Sequence, residues 1–314
     1  MLAAAALAWS LPATILASEP LPVSPTDSQP QGPSLNEVTA EPAAPMRVVF
    51  WVGDMPESRI AYELALLEQM LEHTRDEYGG YQLEFDRLLR SQERLARDLA
   101  SGEGVHVLNG PGWTSAAPTG AIPDIAIIPI PLVKGLLGYR QCIIRREDKA
   151  RFSAIRTEKA LKQVHMGLGQ GWLDNDILRH NGFTVEGAPE LEKLYHMLKR
   201  GRFDCLPLGV GEAAGSLAEN DPDNELIIAE NLLLFYPLPV FMQVSGTDSL
   251  LAKRLEEGLR AMQKDGTFDQ LFDKHYSDDI ARMHSPDIRV FRFENPLLPP
   301  HLQHIGRDLV EVGK

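Results

Sequence analysis

Positive charge is scarce in this chain of 314 residues, and the shortage excludes one broad class of function. Lys and Arg total 31 against 44 Asp and Glu, which gives a formal net charge of -13 at pH 7. An acidic surface repels phosphate backbones, so the composition excludes nucleic acid as a partner. A locally positive cleft inside an acidic protein is still compatible with this composition.

Long apolar stretches are lacking after the N-terminus, so the sequence predicts no membrane span in the mature chain. The first 18 residues, MLAAAALAWSLPATILAS, form an apolar run that ends in small residues. This pattern is typical of a secretory signal peptide, although no Lys or Arg precedes it, so either the start lies upstream or the signal is weak. We expect residues 1–18 to direct export and the mature protein to be soluble and periplasmic.

Large apolar side chains are nearly absent from residues 19–45, which hold seven prolines. A segment of this composition cannot bury enough surface to order itself, and it is typical of a disordered linker. The folded sequence is expected to begin at Met46.

Cysteine is also scarce, since only Cys142 and Cys205 occur, each in a strand-like run. In an exported protein the two can form a disulfide, or they can be two separate small residues buried in a sheet. With so few thiols and nine scattered histidines, the sequence predicts no metal site.

Nucleotide-binding loops are missing as well. The stretch GLGQGWLDNDIL, residues 167–178, has the first two glycines of a dinucleotide fingerprint, but Trp172 stands at the position of the third. We therefore expect no nucleotide and no other cofactor. Two alternatives remain for this Gly-Gln-Gly turn before a helix: it contacts a ligand, or it is a tight turn with Trp172 packed into the core.

What the sequence does contain is an alternation of short apolar runs with segments of helical periodicity. The pattern runs β-α-β-α-β from Met46 and starts again near Tyr139. Such alternation predicts parallel sheets covered by helices, with ligands at the carboxyl ends of the strands. Two such units joined by extended connectors predict two lobes with a cleft between them.

Three segments resemble the type 2 periplasmic solute-binding proteins, and most closely the family-3 group best known for binding polar amino acids in ABC uptake. They read IPIPLVKGLLGYRQCIIRR, LYHMLKRGRFDCLPLGVGEA and RLEEGLRAMQKDGTFDQLFDKHY, within a similarity that spans about residues 46–295. The resemblance implies a two-lobed α/β fold, with two parallel-rich sheets flanked by helices and joined by two hinge strands, IPIPLVKG and FYPLPVF. Lobe one would comprise residues 46–131 and 237–314, and lobe two residues 132–236.

The resemblance also implies a ligand site between the lobes. Its expected residues are Trp51, Asp54, Trp113, Thr114, Lys134, Gly135, Gln170, Gly171, Trp172, Gly211 and Glu212. The alternative to ligand binding for Trp51 is a position in the core. For Glu212 the alternative is a solvated charge at a helix N-terminus.

The Arg that grips the ligand carboxylate in amino-acid binders of this group has no counterpart between Thr114 and Pro131. Arg140 is the nearest Arg, and we expect it to pair with a neighbouring carboxylate. The usual Asp for the ligand ammonium also lacks a clear counterpart, and Glu212 is the candidate to replace it. An ordinary α-amino acid ligand is therefore in question.

The resulting hypothesis is a non-enzymatic, monomeric protein that captures a small polar solute and presents it to a membrane ABC permease. One alternative is a transport-independent sensory or accessory protein of the same fold. Another is a periplasmic enzyme of the cyclohexadienyl dehydratase type, for which Glu212 or Asp54 would be the acid or base.

Overall fold

The computed structural model describes residues 44–53, 55–111 and 125–309. Its strands are β1 (Met46–Trp51), β2 (Tyr81–Asp86), β3 (Val107–Gly110), β4 (Ile125–Ile128), β5 (Tyr139–Arg145), β6 (Met166–Gly169), β7 (Val185–Ala188), β8 (Leu206–Gly209), β9 (Leu226–Phe235), β10 (Phe241–Ser245) and β11 (Arg289–Arg292). Its α-helices are α1 (Glu57–Glu72), α2 (Arg75–Tyr78), α3 (Gln92–Ser101), α4 (Lys149–Ser153), α5 (Glu158–Leu161), α6 (Asp174–His180), α7 (Leu191–Lys199), α8 (Val210–Asn220), α9 (Ser249–Asp265) and α10 (Thr267–Met283). The predicted signal peptide, most of the predicted linker, and Asp54, Trp113 and Thr114 lie outside the described residues.

The first sheet has five strands in the order β2-β1-β3-β10-β4. β1 is parallel to both β2 and β3, as expected where helices α1 and α3 carry the chain back between successive strands. β10 is antiparallel to both β3 and β4. The chain therefore leaves this sheet after β4 and returns to it only at β10, more than a hundred residues later.

The second sheet has the order β11-β9-β5-β8, and the parallel pair β6-β7 lies beside it through a bridge from Met166 to Cys205. β5 is antiparallel to both β8 and β9. The reason is that β5 brings the chain into this sheet and β9 takes it out, so the two run in opposite directions. This sheet is consequently less parallel than the resemblance implies.

The predicted lobe boundaries remain a proposal. In that proposal, residues 132–236 contain β5 to β9, and residues 46–131 with 237–314 contain the first sheet. β11 departs from this division because it pairs with β9 of the second sheet. Within the described residues, no helix is both long enough and apolar enough to cross a membrane.

The two chain crossings between the sheets run side by side. The Leu132 amide donates to the Val240 carbonyl at 2.9 Å, and the Tyr236 amide donates to the Gly138 carbonyl at 3.2 Å. These crossings coincide with the predicted hinge strands, in which prolines hold the backbone extended.

Residues 284–309 follow α10 and form a segment that we call the C-terminal strap. It adds β11 to the second sheet, and its Asn295 side chain then donates to the Pro237 carbonyl at 2.8 Å. Further on, the Gly306 carbonyl accepts a hydrogen bond from the Tyr139 hydroxyl at 2.9 Å. Leu309 finally packs against the apolar core of the first sheet. The strap thus contacts both sheets and both crossings.

Gly135, in the first crossing, lies directly against Gly306 of the strap. Both have positive φ angles, +85° and +81°. A Cβ atom on Gly135 would lie 2.4 Å from the Gly306 Cα atom, so the two backbones can approach this closely only without side chains.

Cys142 of β5 and Cys205, immediately before β8, form a disulfide, with Cα atoms 5.1 Å apart. Both residues are fully buried. Of the two alternatives left open by the sequence, pairing is therefore the one that the structure shows.

We expect the double variant Cys142→Ala, Cys205→Ala to be less stable by up to about 4 kcal/mol, because the disulfide closes a long loop in the unfolded chain. Urea denaturation of both proteins measures the difference. Dithiothreitol should lower the melting temperature of the wild type and leave that of the variant unchanged. Equal stability of the two proteins would contradict this expectation.

We also expect Gly135→Ala to destabilise the protein more than Gly104→Ala. Gly104 has a similar φ of +87°, but a Cβ atom at this position would have no other atom within 4 Å, so Gly104 is a control for backbone strain alone, at about 1–2 kcal/mol. The extra loss at Gly135 should be about 1–3 kcal/mol from overpacking against the strap. Thermal unfolding measures both losses, and equal losses would show that the contact with Gly306 contributes nothing.

Candidate functional site

Five charged side chains lie together between elements of the two sheets, four of them buried and one, Arg59, partly buried. We call Arg59, Glu63, Arg140, Asp174 and Glu212 the charge cluster. Arg59 and Glu63 come from α1, Arg140 from β5, Asp174 from the start of α6 and Glu212 from the first turn of α8. Buried charges of this kind are stable only when they are paired.

Arg59 connects the two sides of the cluster. Its Nε lies 2.7 Å from Glu63 Oε1, and its Nη1 lies 2.9 Å from Glu212 Oε1. α1 packs on the first sheet, whereas α8 follows directly from β8 of the second sheet. This guanidinium therefore forms a salt bridge between the two halves of the molecule.

Arg140 holds the other end of the cluster. Its Nη2 lies 2.7 Å from Asp174 Oδ1, its Nη1 lies 3.7 Å from Glu212 Oε2, and its Nε donates to the Tyr236 hydroxyl at 3.1 Å. The Tyr236 hydroxyl in turn donates to Asp174. The expectation that Arg140 pairs with a carboxylate is confirmed.

Glu212 has both carboxylate oxygens engaged. Besides the two guanidiniums, its Oε2 accepts a hydrogen bond from the Gly209 amide at 3.1 Å, which closes the first turn of α8. Burial alone would raise the pKa of Glu212, but Arg59 and Arg140 outweigh it and hold that pKa below its usual value. Glu212 thus lies at a helix N-terminus, as in the second interpretation of the sequence, but it is buried rather than solvated.

Glu63 differs from Glu212 because its pKa is raised. Burial is the main cause, and the nearby Arg59 guanidinium and Asn109 amide only partly offset it. Glu63 is 1% exposed and Asn109 is 4% exposed. Among the described residues, Glu63 Oε2 and both amide atoms of Asn109 lack a hydrogen bond of ordinary geometry.

A cavity of about 20 Å³ lies beside the cluster. Its charged and aromatic lining residues are Arg59, Glu63, Glu212 and Tyr276. The rest of the wall is Gly209, Gly211 and apolar residues of the two crossings. This volume holds about one water-sized group.

Two of the expected site residues, Gly211 and Glu212, line this cavity. Gly211 lies under the Tyr276 ring, where a Cβ atom would be 2.5 Å from the nearest ring carbon. The other expected residues that the structure describes do not line it, and the structure places them as follows.

Trp51 is half-buried at the end of β1 and packs against the small apolar cluster of α3 and β3. Its indole Nε1 donates to the Leu88 carbonyl at 2.9 Å. These are the contacts expected if Trp51 packs in the core, which the sequence left open as the alternative to ligand binding.

Trp172 lies over Gly169, where a Cβ atom would be 2.3 Å from the indole ring, and it packs against the apolar clusters of the second sheet. The Asn175 side chain donates to the carbonyls of Gly169 and Trp172, at 2.7 and 2.9 Å, and so closes the turn. Gln170 and Gly171 are exposed at its tip. This packing is the one expected of a tight turn with Trp172 in the core. Ligand contact by Gln170, Gly171 and Trp172 remains a proposal.

Lys134 and Gly135 lie at the strap rather than at the charge cluster. The Lys134 Nζ lies 2.8 Å from Asp269 Oδ1 and 4.4 Å from the centre of the Phe272 ring, both in α10. Lys134 lines a separate cavity of about 430 Å³ between the first crossing, α10 and the strap. Gly135 faces Gly306, because the strap covers this part of the crossing.

Arg59, Glu63 and Asn109 were not expected from the sequence. One signal was available: Glu63 lies on the apolar face of α1, three residues after Ile60 and four before Leu67. A charged residue on such a face needs a buried partner, and Arg59 stands four residues away, where helical side chains meet. No comparable signal marks Asn109.

No protein-family model matches this chain, and no curated protein does either. Solved structures do match. An ancestral arginine-binding protein bound to arginine is 16% identical, with 74% of this chain and 98% of that chain covered and a TM-score of 0.53. An amino acid ABC transporter substrate-binding protein from Streptococcus pneumoniae bound to L-arginine is 10% identical, with 74% and 94% covered and a TM-score of 0.53.

An ancestral amino acid-binding protein described as a precursor of cyclohexadienyl dehydratase is 15% identical, with 73% of this chain and 95% of that chain covered and a TM-score of 0.52. At these identities the similarity is one of fold. The chain has the two-lobed α/β fold of the type 2 periplasmic binding proteins, which confirms the resemblance found in the sequence.

We expect Glu212→Gln and Glu63→Gln to change the pH dependence of stability in opposite ways. The folded-state pKa of Glu212 lies below the usual 4.5, so its stabilising contribution is complete above that pH and disappears as the pH falls through the folded-state pKa. The pKa of Glu63 lies above 4.5, so the folded state keeps a proton that the unfolded state releases, and stability decreases as the pH rises through that range.

Urea denaturation between about pH 3 and pH 8 measures both effects. Glu212→Gln should remove part of the loss of stability on the acid side, and Glu63→Gln should remove part of the loss towards neutral pH. Identical pH profiles for the wild type and both variants would show that neither carboxylate is perturbed.

Proposed function

We propose that this chain is an exported solute-binding protein that holds a small polar molecule between its two lobes and delivers it to a membrane ABC permease. The observation that carries the proposal is the charge cluster, in which polar groups from α1, α6 and α8 meet between the two sheets. In proteins of this fold the ligand is held at such a meeting point, and the lobes close on it by hinge motion.

The fold and the disulfide support parts of this proposal. Two of the similar proteins are described as bound to arginine. A buried disulfide is typical of exported proteins, since thiols in the cytosol are kept reduced. Together with the apolar N-terminal run, it supports a periplasmic location for residues 46–314. The protein would act as a monomer.

In this proposal, the described form is the closed one. A cavity of about 20 Å³ is far smaller than the roughly 300 Å³ at the lower end of ordinary ligand sites. A solute larger than one water-sized group therefore enters only when the lobes separate, and separation breaks the bridge from Arg59 to Glu212. The Pro-containing crossings are the parts of the backbone that would absorb this motion.

A transport-independent sensory or accessory role is the second candidate, and the size of the cavity favours it. The Arg59 guanidinium bridges the cleft to Glu212, and the cavity beside this salt bridge is only about 20 Å³. A protein that closes in this way can present a fixed surface to a partner.

An enzyme is the third candidate, and the cleft offers it little support. Glu212 Oε1 is engaged by Arg59 and Oε2 by the Gly209 amide, and the lowered pKa of this carboxylate makes it a weak base. Asp54 lies outside the described residues. Turnover that is lost in Glu212→Gln would be the evidence for this candidate.

The direct test is a screen of the full, ligand-free chain by thermal unfolding against amino acids, amines, organic acids and aromatic metabolites. A solute at a hundredfold excess over its dissociation constant should stabilise the folded state by about 2.7 kcal/mol. Arg59→Met should weaken the effect, because it removes the salt bridge to Glu212 that joins the two halves around the cavity. The matched control is Arg260→Met, which removes an Arg that forms only an exposed salt bridge with Glu256 on α9.

Trp172→Ala tests the turn before α6 in the same assay. Loss of the solute effect in a folded variant would assign this turn to the binding site. No stabilisation of the wild type by any compound would contradict solute binding and favour the accessory role.

A further inference from the structure

On one side of the charge cluster, buried polar atoms have unused hydrogen-bonding positions. Glu63 lines the cavity, and Asn109 lies close enough to Glu63 to affect its pKa, yet among the described residues neither Glu63 Oε2 nor the amide of Asn109 makes a hydrogen bond of ordinary geometry. Both side chains are more than nine-tenths buried. Buried polar atoms without partners destabilise a protein, so they indicate a group that binds there.

The cations at the cluster are already occupied. Arg59 is shared between Glu63 and Glu212, and Arg140 between Asp174, Glu212 and Tyr236. A carboxylate ligand is normally gripped by two parallel N–H groups of a free guanidinium. Neither guanidinium offers this without giving up a buried carboxylate of the protein.

The remainder of the chain supplies no substitute near the expected loop. Residues 112–124, where the resemblance implies a carboxylate-gripping Arg, contain neither Lys nor Arg, and residues 1–43 contain none either. Lys134 is engaged by Asp269 and by the Phe272 ring.

The net charge of the cluster would be balanced by one more cation. Two guanidiniums face three carboxylates, so the fully ionised cluster carries one net negative charge. In a buried site an uncompensated charge is unfavourable. Burial is the main cause that raises the pKa of Glu63, and the nearby Glu212 carboxylate raises it further.

We propose that the charge cluster binds the ammonium group of a small primary amine that carries no carboxylate. Its N–H groups donate to Glu63 Oε2 and to Asn109 Oδ1. An ammonium group is about the size of a water molecule, so it matches the cavity of about 20 Å³. This inference rests on the proposed function, because it takes the cleft between the lobes as the binding site and names the class of solute.

Matched small ions test the class of solute in the full chain. Isothermal titration calorimetry at constant ionic strength compares methylammonium, propylammonium, glycine, acetate and tetramethylammonium. Methylammonium and propylammonium should bind at least about tenfold more tightly than glycine, which adds a carboxylate to the same amine. Tetramethylammonium, which has the charge but no N–H group, and acetate should not bind.

Two variants test the residues. Asn109→Leu removes an amide that lacks partners, so it should raise the melting temperature of the ligand-free protein and weaken amine binding at least about tenfold. A purely structural asparagine would give a lower melting temperature instead. Glu63→Gln keeps the shape of the side chain and removes its charge, so it should weaken amine binding even if Asn109→Leu does not fold.

The outcomes separate this inference from the proposed function. Binding of glycine or another amino acid more tightly than the amines would overturn the inference and leave solute binding intact. Equal binding of tetramethylammonium would show that charge alone is recognised and would overturn it as well. If none of these ions binds but the thermal-unfolding screen finds another solute, the inference fails and solute binding stands; if the screen finds none either, both fail.

Discussion

The position of one guanidinium decides how the two halves of this protein meet. Arg59 leaves the helix that covers the first sheet and reaches a carboxylate that begins a helix of the second sheet. It also compensates Glu63, which would otherwise be a lone charge in the core. Because buried charges are tolerated only in pairs, loss of this side chain would leave both Glu63 and Glu212 without their shared guanidinium where α1 meets α8.

Much of the fold could be read from the sequence because its signals are local. Alternating apolar runs and helical periodicities mark most of the elements, and the prolines of IPIPLVKG and FYPLPVF mark the crossings. Strand partners are a different matter. β11 joins β9, which lies more than fifty residues earlier, and only tertiary packing makes that choice. The same holds for the disulfide, since two cysteines in strand-like runs are equally compatible with separate burial.

The site could be predicted less well, for a physical reason. Gly211 and Glu212 could be predicted as site residues because they follow the end of a strand, and in the structure they do line the cavity. The partner of Glu212 is 153 residues away on α1, and nothing local in the sequence connects the two. Lys134 and Gly135 end the predicted hinge strand IPIPLVKG, but in the structure the strap packs against this end of the strand, and no pattern in the sequence predicted the strap.

The strap changes what a hinge can do in this protein. The chain passes between the two sheets at both crossings, and the strap adds a third passage at β11 and a fourth on its return to the core of the first sheet at Leu309. Lobes joined by four strands of backbone have a narrower range of angles than lobes joined by two. They also meet again quickly, since the tether keeps each at a high effective concentration for the other. The rate at which the two lobes separate would then depend on the contacts of Asn295 and Gly306, which hold the strap in place.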